Sequence, residues 1–152
     1  MSKKILILGA TGAMGTYLVP EMLERGWQVD AVSLDHMEAD HPLLNCITEN
    51  AKDLTFMKKV IQNKYDAIVD FMIYTSESEF EPYYKLFLEN TKHYIFLSTY
   101  RVYANTAPIT EESPRLLDVS ADEAFLASGD YAIYKAQEEE MLKASGYTNW
   151  TD

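Results

Sequence analysis

Lys4-Ile5-Leu6-Ile7-Leu8-Gly9-Ala10-Thr11-Gly12-Ala13-Met14-Gly15 is the stretch on which the reading of the whole chain turns. Ile5 to Leu8 form a short run that is apolar on both faces, the pattern of a strand buried in a parallel sheet. The run leads directly into Gly9, Gly12 and Gly15, spaced Gly-x-x-Gly-x-x-Gly. In such a strand-to-helix turn one glycine permits the backbone reversal and a second lets a pyrophosphate approach, while a third lets helix and strand pack closely. A helix beginning there offers N–H groups without intrahelical partners, and the positive end of its dipole, to phosphate oxygens. Thr11 and Met14 lie in the same turn and are read with the three glycines as dinucleotide contacts. A tight structural turn is the bland alternative, and the rest of the chain has to decide between the two.

Working outward, a helix running to about Arg25 would bury Leu18, Val19, Met22 and Leu23 and close at Gly26, with a kink expected at Pro20. Gln28 to Leu34 and Leu44 to Thr48 read as the second and third strands, and Leu54 to Asn63 as a helix behind Asp53. Ala67 to Met72 makes a fourth strand, Phe80 to Asn90 a helix, and Tyr94 to Ser98 a fifth strand apolar on both faces. Prolines and scattered charge point to irregular turns from Ala104 to Asp130, and Tyr131 to Ser145 reads as a helix closed by Gly146. Strands alternating with crossover helices imply an α/β fold, a doubly wound parallel sheet of the Rossmann type in order 3-2-1-4-5. The sixth strand should start within residues 147–152, where the chain stops, so the sequence reads as one dinucleotide-binding domain over 1–152 that ends just as the sixth strand begins.

Composition narrows the partners. A formal charge of -11 with no basic run disfavours nucleic acid and anionic membranes and favours a small-molecule partner. Acidic clusters at Glu77, Glu79 and Glu81, at Glu111 and Glu112, and at Glu138 to Glu140 read as solvated helix faces and loops. The sequence holds no apolar run long enough to span a bilayer and no secretory leader pattern. A lone Cys46 excludes an internal disulfide and fits a cytoplasmic setting. His36, His41 and His93 lack metal-ligand spacing, so no metal is expected. The serines at 76, 78, 113, 120 and 128 lack a nucleophile-elbow context.

Two further motifs test the glycine turn. Tyr131-Ala132-Ile133-Tyr134-Lys135 supplies Tyr-x-x-x-Lys on the last helix, and Leu97-Ser98-Thr99-Tyr100-Arg101-Val102-Tyr103 follows the fifth strand. Taken in order, the three motifs resemble the extended branch of the short-chain dehydrogenase/reductase family, the NAD-dependent epimerases and dehydratases, over nearly the whole chain. The resemblance implies that Tyr131 exchanges a proton with the substrate oxygen while hydride moves to or from nicotinamide. It also implies that Lys135 binds the nicotinamide ribose and that Thr99 hydrogen-bonds the reacting oxygen, with Ser98 as second choice. Chemistry supports the pairing on two counts. Residues four apart share a helix face, and a neighbouring ammonium favours a phenolate. Tyr134 lacks the spacing and reads as packing.

For the dinucleotide, alignment on the glycines places Ser33 at the end of the second strand, with Asp35 two residues on; the absence of a nearby Lys or Arg leans to NAD and leaves NADP open. Asp53-Leu54 resembles the family's adenine-contacting pair, although Asp53 is equally a helix N-cap. Phe71, Met72 and Ile73 should line the cleft, since ligands bind beyond the carboxyl ends of parallel strands. Resemblance alone suggests a nucleotide sugar as substrate. A non-catalytic, dinucleotide-binding regulatory or scaffold protein stays open, because fold does not decide function. The resemblance also implies a homodimer packed through Phe80 to Asn90 and Tyr131 to Ser145, which exposed Tyr83, Tyr84, Phe87 and Leu142 would support and their burial would weaken, and a C-terminal substrate domain truncated in this sequence.

Overall fold

The computed structural model describes residues 2–38 and 40–152, which fall into two compact units. The first takes in the chain up to Ile73 together with Pro82–Leu97 and Thr148–Thr151; the second takes in Tyr74–Glu81 and Ser98–Tyr147.

In the first unit six parallel strands stand in the order β3-β2-β1-β4-β5-β6: β1 Lys4–Leu8, β2 Gln28–Ser33, β3 Leu44–Thr48, β4 Ala67–Asp70, β5 Tyr94–Phe96 and β6 Trp150–Thr151. The sixth strand begins where expected, paired through Tyr94 with Trp150 and Ile95 with Thr151. Asn149 docks it, its side-chain amide donating to Leu88 O at 3.0 Å and Thr91 O at 2.9 Å. Central β1 is buried on both faces, which is why its apolar run does not alternate. On one face Ile5 and Ile7 pack with Val29, Ala31, Ala67 and Val69 under Val19 of helix α1, Gly15–Glu24. Burying such aliphatic side chains contributes about 1.5–3 kcal/mol each.

Helix α1 continues through Pro20, whose ring lies on an exposed position, and ends in a Schellman arrangement. Trp27 N donates to Met22 O and Gly26 N to Leu23 O, with Gly26 at φ +76°. Helix α2, Leu54–Val60, is capped by Asp53 and tightens into a 3-10 turn at Ile61–Asn63. Helix α3 spans Glu77–Asn90, three residues earlier than the hydrophobic pattern suggested. The gain comes from a cap: Ser76 Oγ accepts from Glu79 N, and Glu79 Oε2 accepts from Thr75 N.

A polar knot sits within the strands. Asp30 of β2 accepts from Tyr65 Oη at 2.5 Å and from Asn45 Nδ2 at 3.2 Å, and ion-pairs with Lys4 Nζ at 3.0 Å. Burial, then the bond to Asp30, pushes the Tyr65 phenol well above its ordinary range.

The second unit is built on α6, Tyr131–Ala144. The region expected to be wholly irregular contains two one-turn helices, α4 Leu116–Val119 and α5 Glu123–Leu126, the latter capped by Asp122. The apolar anchors a dimer would need are consumed inside the chain: Tyr83 and Tyr84 are 6% exposed, and Phe87 and Leu142 are 0% exposed. That dimer surface therefore loses its support. Among the described residues no helix is long and apolar enough to cross a membrane.

Candidate active site

Strand register brings the glycine turn into being. Leu8 pairs with Val32 on one side and Asp70 on the other, at the point where strand order reverses. Gly9 N and Ala10 N both donate to Val32 O at 3.0 Å, while Phe71 N donates to Leu8 O at 3.1 Å. Gly9 has φ +82°, and a Cβ there would meet Phe71 Cβ at 3.3 Å. At Gly15 a Cβ would stand 2.4 Å from Ala10 O and 2.6 Å from Ala10 Cα, so only glycine lets α1 start this close to the turn. On Gly12, in the open part of the turn, the same atom would meet Gly9 O at 3.2 Å. No side chain caps α1, Met14 standing at its N-cap, and no acidic residue lies in its first turn. The positive helix end is left for an outside anion, so these residues fit a dinucleotide diphosphate.

Beside the turn lies a cavity of about 180 Å³ lined by Gly9, Thr11, Ser33, Asp35, Glu49, Ala51 and Met72 among others. Thr11 Oγ1 and Ser33 Oγ are 2.6 Å apart, Thr11 Oγ1 donates to Asp35 Oδ2 at 3.1 Å, and Asp35 N donates to Ser33 Oγ at 3.0 Å. Ser33 and Asp35, alternatives in the sequence, thus share one network. With Asp35 and Glu49 as the charged lining residues, the cavity suits ribose hydroxyls and repels an added phosphate. Glu49 and Ala51 escaped the sequence reading; they follow β3, and the rule that ligands gather at carboxyl strand ends was the signal for them. Asp53 and Leu54 do not line this cavity. Asp53 Oδ1 accepts from Thr55 N at 2.8 Å and Phe56 N at 3.2 Å, a cap that occupies it. Ile73 is exposed, and Phe71 lies beneath Gly9.

In the second unit, Asp130 caps α6 by accepting from Ala132 N at 2.8 Å and also ion-pairs with Arg101 at 2.9 Å. Those two contacts, led by the backbone bond, hold its carboxyl below the usual range. Tyr131 opens the helix and meets Tyr134 edge-on, ring centroids 5.5 Å apart. Lys135, one turn on, is 1% exposed, with Nζ 3.0 Å from Glu138 Oε2. The expected lowering of the Tyr131 phenol by an ammonium is not what the surroundings produce. Burial, with Tyr134 and Glu138 adding, pushes it up, and Arg101 is the cation opposing them.

Thr99 lies beyond β5, which ends at Phe96, and caps a 3-10 turn at Tyr100–Val102 by accepting from Arg101 N. Ser98 Oγ donates to Glu139. Glu138 and Glu139, read from sequence as part of a solvated face, are 0% and 1% exposed; only Glu140 of that run faces solvent. Arg115, between the Leu97–Tyr103 motif and the Tyr131–Lys135 motif but in neither, ion-pairs with Glu139, and nothing local in the sequence marked it.

The chain is 29% identical to a UDP-glucose 4-epimerase of Streptococcus mutans, the match covering 73% of this chain and 40% of that one. The Bordetella bronchiseptica enzyme WbmH, solved with NAD+, superposes with TM-score 0.72 at 21% identity over 97% of this chain and 54% of its own. The dTDP-glucose 4,6-dehydratase of Bacillus anthracis, solved with NAD, gives 0.64 at 20% identity over 94% of this chain and 50% of its own. The chain thus spans about half the length of these relatives or less. The family profile runs from within β1 to the residue before β6, through all three motifs, and over residues 5–149 the chain belongs to the NAD dependent epimerase/dehydratase family.

Proposed function

We propose that this chain provides the cofactor and proton-transfer groups of an NAD-dependent, cytoplasmic epimerase or dehydratase acting at a hydroxyl-bearing carbon of a nucleotide sugar. The observation that carries the reading is Tyr131 and Lys135 one turn apart on α6, with Arg101, two residues beyond Thr99, tied to the cap of that helix. When bound, nicotinamide supplies the hydride acceptor and donor. Gly9, Gly12 and Gly15 would hold the diphosphate at the start of α1, and Asp35 with Thr11 and Ser33 the adenosine ribose. The acidic lining favours NAD over NADP, and the relatives named with a cofactor carry NAD.

Tyr131 is the proton carrier. Its raised pKa keeps the resting phenol protonated, ready to donate to a carbonyl oxygen as that oxygen becomes a hydroxyl. In the opposite direction Tyr131 must take the hydroxyl proton, and the Arg101 cation favours the phenolate this requires. Thr99 would hydrogen-bond the same oxygen and fix its position.

The test uses the full-length protein with NAD and two probes, UDP-glucose and UDP-galactose. Tyr131→Phe keeps the ring and removes the proton; turnover should fall by about 10²–10⁴-fold while NAD affinity survives. Unchanged turnover in that variant would refute the reading and favour the non-catalytic alternative.

A further inference from the structure

Glu139 is a carboxylate for which the Tyr-Lys pair has no use. It is 1% exposed and lies on the same helical strip as Tyr131 and Lys135, eight and four residues beyond them respectively. A carboxylate that deep is tolerated only with partners. Both of its close partners come from one loop: Ser98 Oγ donates to it, and the Arg115 guanidinium ion-pairs with it, whereas Lys143 Nζ is 3.9 Å away. Arg115 is fixed independently. Its guanidinium lies 4.6 Å from the Tyr103 ring centroid, and the backbones of Tyr103 and Arg115 form an antiparallel bridge. One carboxylate therefore gathers the two stems of the loop that starts with Thr99.

A second tie fixes the direction of that loop. Arg101 reaches Asp130 at 2.9 Å, and Asp130 is the N-cap of α6. Residue 98 is thus held at position 139 and residue 101 at position 130, so the segment runs antiparallel to the helix with Thr99 between its ties. The helix covers about 13 Å over those nine residues, whereas three extended residues reach about 10 Å. Side chains close the difference, and the segment has little slack. Releasing the Ser98 end would remove the side-chain tie to the helix on one side of Thr99 and leave the Arg101 tie on the other.

We propose that Glu139 is a positioning residue: a buried anchor that grips Ser98 and Arg115 and thereby sets where the Thr99 hydroxyl stands along the Tyr131–Lys135 strip. The inference rests on the functional reading above. Glu139 touches neither substrate nor cofactor in this role and acts only through Ser98 and Thr99.

The experiment compares wild type, Ser98→Ala, Glu139→Gln, the double variant and Tyr131→Phe in the full-length protein. It measures kcat and KM for UDP-glucose, NAD affinity and the thermal midpoint. Misplacing a reacting group by about 1 Å costs on the order of 10²-fold, so each of the first two variants should lower kcat by about 10–100-fold. KM and NAD affinity should stay within about twofold, and the double variant should be no slower than the worse single one, because both changes cut the same tie. A purely structural role would instead lower kcat and NAD-binding stoichiometry together.

Wild-type kcat in Ser98→Ala or in folded Glu139→Gln overturns the proposal, as does loss of kcat only in proportion to the folded fraction. Should Glu139→Gln fail to fold, Ser98→Ala decides alone, since it leaves the Arg115 pair in place. If Tyr131→Phe inactivates while Ser98→Ala does not, only the positioning role fails. If Tyr131→Phe is as active as wild type, or wild type turns over neither UDP-glucose nor UDP-galactose, the functional reading fails and takes this inference with it.

Discussion

Replacing Gly15 by alanine sets two physical effects against each other with opposite signs. Gly15 is the first residue of α1, where alanine is the better helix former by at most about 1 kcal/mol. The added Cβ, however, would stand 2.4 Å from Ala10 O and 2.6 Å from Ala10 C and Cα, all backbone atoms of the turn. That is about 1 Å short of ordinary contact, and no side-chain rotation can relieve it. Helix and turn must part, at an overpacking cost of about 1–3 kcal/mol. Steric cost should win, leaving a net loss of about 1–2 kcal/mol, and a fall in Tm of roughly 2–8 °C for a chain of this size. The same displacement carries the helix end away from the diphosphate. Losing one backbone hydrogen bond and part of the helix-end attraction weakens NAD binding by about tenfold or more. Urea unfolding and calorimetric NAD titration read both quantities. A Gly15→Ala protein that is as stable as wild type and binds NAD equally would refute the close-approach argument for this turn.

Asp53→Ala should cost about 1 kcal/mol in urea unfolding through the lost α2 cap and leave NAD affinity within about twofold; a tenfold loss of affinity would restore the adenine-contacting role. Tyr65→Phe removes the 2.5 Å bond to Asp30 and should cost about 1.5–3 kcal/mol at neutral pH. Because the folded phenol titrates well above its unfolded value near 10, the stability it contributes is full below about pH 10 and declines above it, as the unfolded chain alone releases the proton. The gap between wild type and Tyr65→Phe should therefore narrow by roughly 1.4 kcal/mol per pH unit from about pH 10 upward. A gap constant from pH 8 to 11 in denaturant titrations would contradict the burial of that hydroxyl.

The parts of this molecule that were legible in the sequence are those fixed by local chemistry. Four apolar residues running into spaced glycines can be little else than a buried strand meeting a close-packed helix, and Gly26 could be read as a helix end because its φ of +76° suits glycine. Ser76 and Glu79 carried a readable cap signal that the hydrophobic pattern from Phe80 concealed. Other features depend on distant partners. Whether Glu138 and Glu139 face water is settled by Lys135, Arg115 and Ser98, and charge run alone pointed to solvent. Asp53 shows a different limit, because one residue type serves both as a cap and as an adenine contact and only placement separates them. The Tyr131 phenol moved opposite to expectation for a similar reason. Spacing announces the lysine one turn away, but it says nothing of the burial and the Glu138 charge that outweigh it.

The central strand also governs when the glycine turn can exist. β1 is made first, yet its two neighbours come later in the chain, and the second of them, β4, pairs Leu8 with Asp70. Parallel pairs cannot be joined by a tight hairpin, so no contact in this sheet forms between adjacent residues, and such long-range pairing is slow relative to helix formation. Gly9 acquires its neighbour Phe71 only when that pairing is complete. Dinucleotide affinity is consequently a clock for the folding chain: it should appear with the β1–β4 pairing, later than helicity, and never on a chain that has only reached its second strand.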